Sequence, residues 1–206
     1  MKRLVFICVA ILCVPLIAFG QELNNIDFVS PFNDGMSSIK KGTSWAFIDD
    51  QGILAIDFRG DLVTTKTGDL NYPIFQNDRC LILNEKDGIN YFGYIDKKGE
   101  TVIQPKFLNA TNFNDGFAIV LELNKENLGE NEVLGKKVVS YSYMEAIIDT
   151  NGEIIEYLTD PIHVTLTTKN FKTPLVTSKF ISGNLVMVFD KNNKISIKKI
   201  TSQQSF

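Results

Sequence analysis

His163 is the only histidine in this chain of 206 residues, and Cys80 is the only cysteine outside an apolar amino-terminal run that holds Cys8 and Cys13. One histidine cannot build a His-rich zinc centre, and neither H-E-x-x-H nor C-x-x-C spacing occurs. A Ser-His-Asp triad would need His163 to meet a serine and an aspartate in space. No G-x-S-x-G elbow presents such a serine. His163 lies in a β-prone stretch, 162–168, alternating with Val164 and Leu166, and reads as a structural or surface residue. Cys80 lies in the apolar run 79–83 and reads as a small buried hydrophobe.

Oxygen ligands are more plentiful. Asp49 with Asp50, Asp96, Asp149, and Asp190 with Asn192 and Asn193 are clustered as calcium loops require. None has D-x-[DN]-x-[DN]-G spacing, and Lys97 and Lys98 occupy positions where ligands would be needed. Turn chemistry accounts for all of them, so no cofactor and no metal is expected. Two carboxylates facing one another across a groove could hydrolyse a glycosidic bond. The richest acidic stretch, 122–132, is interleaved with asparagine, lysine and glycine and reads as a solvated inserted loop with room for an extra hairpin.

The elements that carry these residues are repeats of two phrases. In one, F-N-D-G precedes a short apolar strand: Phe32 to Gly35 and Phe113 to Gly116, with weaker copies at Phe75 to Asp78 and Phe180 to Gly183. In the other, I-D-x-x-G joins two β-prone pieces: Asp49 with Gly52, Asp96 with Gly99, and Asp149 with Gly152. Aspartate at the head of a turn accepts backbone N–H groups two residues on, and glycine three positions later tolerates positive φ. The phenylalanines are 43, 38 and 67 residues apart. The first two intervals are those of a solenoid, propeller or array, and the third is swollen by an insertion. Each Phe is placed to bury between neighbouring hairpins.

The middle copy runs Phe92, Gly93, Tyr94, Ile95, Asp96, Gly99, Val102, Ile103, Pro105, Phe107, Ala110, Phe113, Asp115, Gly116, Ala118, Val120. In this order it resembles the WG repeat proteins of bacteria, whose pattern is roughly W-G-[FY]-I-D-x-x-G followed by Ile-Pro, an aromatic, and F-x-[DE]-G-x-A-x-V. Phe92 stands where that family has Trp. Trp45 keeps the Trp but is followed by Ala46, and Glu145 with Ala146 fill the pair in the third unit. The resemblance covers roughly residues 31–155 and implies a repeat fold without an assigned activity. Gly93, Ala46 and Ala146 are small at one shared slot, which marks a close approach to the backbone.

The expected architecture is all-β: tandem antiparallel hairpins, three recognisable units and a divergent fourth, stacked as a curved array or an incomplete propeller-like arrangement, with almost no helix. Lys2 and Arg3, an apolar run and Ala18-Phe19-Gly20 read as a signal peptide over 1–20. Hairpin repeats follow over 21–156, with an inserted loop at about 122–142. The tail, 157–206, reads as a cap. Its last hairpin alternates Ser196 and Lys198 with Ile195, Ile197 and Ile200, turning a polar face outward, and 201–206 is expected to fray.

A net charge of −3 argues against nucleic acid or an anionic membrane as partner. Cleavage would leave no stable membrane insertion. It would also leave Cys80 alone, with no internal disulfide. The expected function is that of a secreted or periplasmic, non-catalytic binding or structural module, not an enzyme, whose partner is an unknown protein or glycan. The alternative is a hydrolase of envelope or other glycans acting through groove carboxylates.

Overall fold

The computed structural model describes residues 23–131, 135–167, 171–190 and 192–200. The signal peptide expected over 1–20 and the fraying expected over 201–206 lie outside the described residues. The fold is all-β, with no helix among the described residues. Among the described residues sixteen strands form several small antiparallel sheets, none closed into a barrel.

The first sheet contains β1 (Phe28–Val29), β2 (Ser37–Lys41), β3 (Ser44–Ile48) and β4 (Leu54–Arg59) in sequential order. The second contains β7 (Cys80–Lys86), β8 (Ile89–Ile95) and β9 (Thr101–Phe107). In the third, β10 (Phe117–Asn131), β11 (Lys136–Asp149) and β12 (Ile154–Tyr157) are ordered in the same way, and β13 (Ile162–His163) pairs with β11. The fourth contains β14 (Lys179–Ser182), β15 (Leu185–Phe189) and β16 (Ile195–Lys199). A small ribbon, β5 (Thr65–Thr67) with β6 (Leu70–Tyr72), lies between the first and second sheets in the chain.

Each repeat borrows a rung from the segment before it. The N–H of Val63 donates to Leu81 O (3.0 Å) and that of Leu83 to Asp61 O (2.9 Å), so the chain leaving β4 pairs with β7. In the next unit Thr111 N–H donates to Ile119 O (2.9 Å), and Leu108 N–H to Leu121 O (2.9 Å). The array therefore propagates through backbone pairing, and side chains fill the gaps between sheets.

Those gaps are filled in register. Phe75 is fully buried and meets Phe47 of the first unit edge to face, with ring centroids 4.7 Å apart. Phe113, 1% exposed, meets Tyr94 of the second unit in the same way at 4.8 Å. Phe47 and Tyr94 both stand two residues before the turn aspartate. The wedge thus joins one unit's turn phrase to the preceding unit's central strand. The third gap is closed by Ile147, Val186, Val188 and Ile200, with Phe180 packed against them.

Phe32 departs from the expected burial and is 53% exposed. Among the described residues no earlier sheet exists for it to wedge against. Nor do residues 180–183 form a fourth copy of F-N-D-G: Phe180 lies within β14, and Gly183 with Asn184 tips the β14–β15 hairpin, Ser182 pairing with Leu185. The sequence match to that phrase is accidental, and the 67-residue interval is not a repeat length.

The insertion is a two-stranded ribbon rather than a loop. Ladder pairing runs from Phe117↔Asp149 to Asn131↔Lys136, with one irregularity at Asn127/Gly129. Val138, Val139, Tyr141 and Tyr143 supply β-prone partners for the acidic strand, and that pairing outweighs its polar composition. Toward the end of the ribbon Leu128, Val138 and Val139 stay exposed.

The close approach expected at Gly93 is present. β8 and β9 shift register between Phe92↔Phe107 and Tyr94↔Ile103, carrying the β9 backbone over the glycine. A Cβ there would overlap the Ile103 carbonyl and lie 2.6 Å from Pro105 N. Backbone cannot yield as a side-chain tip can. Gly93→Ala is expected to lower the unfolding free energy by about 1–3 kcal/mol, read as a shift in the denaturant midpoint. An unchanged midpoint would show that β9 moves freely.

Candidate functional site

The I-D-x-x-G phrase is one hydrogen-bonded device used four times. Asp49 Oδ1 accepts the N–H groups of Gln51 (3.0 Å) and Ile53 (2.8 Å). Asp96 Oδ1 accepts those of Lys98 (2.9 Å) and Glu100 (3.0 Å), and Asp149 Oδ1 those of Asn151 and Glu153 (both 2.9 Å). Asp190 repeats the pattern with Asn192 and Lys194, both at 2.8 Å. Gly52, Gly99 and Gly152 close these turns at positive φ, and Asn193 takes that role in the fourth at φ 57°. Asparagine tolerates the left-handed region, and this disguised the fourth copy in the sequence.

The F-N-D-G phrase has a double role. Asp34 with Gly35, Asn77 with Asp78, and Asp115 with Gly116 all have positive φ, as a two-residue type I′ hairpin turn demands. Their side chains reach outward to the next unit. Asp34 Oδ2 accepts the N–H of Asp78 (2.7 Å), and Asn77 Oδ1 accepts that of Gly116 (3.0 Å). Lys97 joins Asp34 (3.3 Å) and Asp78 (2.6 Å). A polar ladder therefore runs along one side of the array, over a shallow depression of about 330 Å³.

At the same end of the sheets, each I-D-x-x-G hairpin turn seats on the preceding unit. Ile56 lies 3.2 Å from where a Gly99 Cβ would be, and Ile103 lies 3.1 Å from that of Gly152. Two arginines fasten the same turns: Arg59 Nη1 donates to Gly99 O (2.9 Å) and Arg79 Nε to Thr150 O (2.9 Å). Arg59 is held in a fork by Asp61, at 2.6 and 2.7 Å. Hydrogen bonding to Arg59 holds the Asp61 carboxyl below its ordinary value, and the same bond raises Arg59. The folded carboxyl thus titrates below the unfolded one. The pair stabilises the protein fully above about pH 4 and progressively less as pH falls through the lowered folded value. Both partners are partly exposed, so the effect is a few tenths of a kcal/mol. Asp61→Asn is expected to flatten that part of the acid limb in a stability-against-pH titration, and an unchanged limb would remove the pair from it.

Cys80 is fully buried in the cluster that holds Phe47 and Phe75, and burial raises its thiol pKa far from the reactive range. His163 is exposed in β13, its Nδ1 3.5 Å from Ser140 Oγ. Among the described residues no three His, Cys, Asp or Glu side chains gather as a metal site requires.

A depression of about 1020 Å³ runs between residues 157–162 and the fourth sheet. Tyr157, Pro161 and Phe189 give it apolar and aromatic surface, and Asp160, Ser196 and Lys198 give it hydrogen-bonding groups. Tyr157 stands at the foot of the long ribbon: its hydroxyl donates to Glu122 Oε2 (2.6 Å), and that bond raises its pKa. Lys198 Nζ donates to Tyr157 O (3.2 Å) and pairs with Glu156 (3.3 Å). These residues are distant in sequence and carry no motif, so nothing in the sequence marked them as neighbours.

The repeat geometry runs from the Phe92 strand through the Phe113 wedge into β10. The family described as WG containing repeat matches residues 92–125. Residues 92–125 therefore carry a WG repeat. No curated protein and no solved structure matches the chain. In the WG slot itself, Trp45 is 8% exposed and meets Phe28 edge to face at 5.8 Å, with Lys40 Nζ 5.4 Å from its centroid. Phe92 packs against the second gap, whereas Glu145 takes the slot in the third unit and is 2% exposed. Its Oε1 accepts from Thr177 N–H (2.6 Å) and Oγ1 (2.8 Å), and its Oε2 from Ser178 N–H (3.0 Å). The departure from the WG pattern has become the anchor of the segment leading into the fourth sheet.

The C-terminal hairpin reverses the expected facing. Val186 and Val188 are buried, and their partners across the ladder are Lys198 and Ser196. Ile195 and Ile197, expected inside, are 61% and 64% exposed, and only Ile200 is buried as expected. Alternation defines two faces, but the packing partner chooses which is covered. Here the third sheet meets the Val186–Val188 face. The final sheet is therefore not a polar cap.

Proposed function

We propose that this protein is a non-catalytic binding or structural module exported from a bacterial cell, recognising a protein or glycan. One observation carries the reading: a groove with aromatic and hydrogen-bonding walls lies at the base of a projecting ribbon, both held by a stacked scaffold. Tyr157 is 45% exposed and offers a ring face. Asp160, Ser196 and Lys198 offer the orienting polar groups typical of a recognition site. Farther along, the ribbon adds exposed Val138, Val139 and Leu128 as further contact surface.

The test is capture from a bacterial envelope extract by the wild-type protein, by a Tyr157→Ala/Phe189→Ala variant, and by one with residues 125–139 replaced by a tight turn. A component retained by the wild type and lost by the groove variant supports the reading. Loss of nothing, or hydrolysis of an envelope glycan that disappears in Asp160→Asn, overturns it.

A further inference from the structure

We propose that the array continues from one molecule into the next, the open face of the fourth sheet in one copy receiving the first unit of a second copy. The junctions between the first and second and between the second and third units use the same three parts of the later unit. These are a Phe wedge (Phe75, Phe113), the seat of the I-D-x-x-G turn (Gly99 on Ile56, Gly152 on Ile103), and a turn N–H donated to the earlier unit's side chain (Asp78, Gly116). The first unit carries these parts, and among the described residues two of them have nothing against them: Phe32 is 53% exposed, and the position of a Cβ on Gly52 has no atom within 4 Å. Ile53, beside that unseated turn, is 59% exposed.

The other end offers a complementary surface. Ile181, Ile195 and Ile197 are each more than half exposed. Ile195 and Ile197 are paired across the ladder with half-buried Phe189 and Met187, giving one apolar face. Charge matches the two ends. Residues 171–200 carry six lysines and one aspartate, whereas residues 23–61 carry six aspartates against Lys40, Lys41 and Arg59. A junction of this kind joins unlike surfaces, so it does not close on itself and grows as an open chain. Opposite charges at the two ends also make it weaken as salt screens them.

Sedimentation velocity of the purified full chain over rising concentration, at low and high salt, reads the outcome. Phe32→Asp and Ile197→Asp each damage one end only, at exposed positions, and their circular dichroism and unfolding midpoints serve as folding controls. The wild type is expected to form species larger than a dimer that diminish with salt. Each variant alone is expected to be monomeric, and an equal mixture of the two to give a dimer that grows no further, because each still carries one intact end. A wild type monomeric throughout overturns the proposal. So does a dimer lost in Ile197→Asp but kept in Phe32→Asp, which marks pairing between two like faces. Binding of the monomer to vesicles of phosphatidylserine and phosphatidylcholine, lost in Ile197→Asp, assigns the face to a lipid surface and overturns it equally.

Discussion

Phe113→Ala lowers the unfolding free energy by about 3–5 kcal/mol, whereas Phe32→Ala, the same chemical change at the same point of the repeat, costs under about 1 kcal/mol. Phe113 is 1% exposed and closes the second gap against Tyr94, Val120, Ala146 and Ile148. Its removal leaves a cavity between two sheets tied by backbone ladders, which limits their collapse onto it. The lost contacts include an edge-to-face ring pair. Phe32 is already more than half in water. Equilibrium denaturation of both variants under one condition checks the contrast. Equal losses would mean that the wedge acts through its own turn rather than through the junction. Phe75→Ala is expected to group with Phe113→Ala, since its ring is fully buried against Phe47.

Glu145→Ala is the second large effect, about 3 kcal/mol. The side chain is 2% exposed, and its two oxygens accept three hydrogen bonds from Thr177 and Ser178. Alanine leaves two backbone N–H groups and a hydroxyl without this partner. Glu145→Gln retains the shape and one acceptor oxygen, so it is expected to lose less than alanine. Amide exchange separates the mechanisms: protection at Thr177 and Ser178 should fall in Glu145→Ala by more than at Tyr94 or Ile147, where the loss is only global. Uniform loss across the molecule would make Glu145 an ordinary packing residue. The residue also explains how a unit lacking the WG pair retains its fold. A buried carboxylate replaces an aromatic ring by tying down a neighbouring strap through hydrogen bonds.

The junctions have one consequence for stability as a whole. Each sheet is too small to hide both faces by itself, and the wedges, turn seats and arginine clamps all bridge neighbouring units. A change at a junction therefore acts on two units at once, and changes confined to the ribbon beyond the sheet act on neither.

The sequence by itself determined the hairpins. Aspartate three residues before a glycine, between β-prone runs, closes one kind of turn through its own side chain, and D-G or N-D at the second kind needs positive φ that few residues tolerate. Such information is local, so it survives in a single chain read from end to end. The wedge role of Phe75 and Phe113 was legible for the same reason, because a repeated position implies a repeated environment. Tertiary structure alone decided what depends on a neighbour. Phe32 has the right residue type, and among the described residues no preceding sheet covers it. Ile195 and Ile197 alternate correctly, but the third sheet covers the opposite face. The acidic stretch became a strand because a β-prone partner lies across from it. Glu145, Arg59 and the groove at Tyr157 draw their roles from residues far along the chain. Alternation states that two faces exist, and only the packing of one sheet on another states which of them is dry.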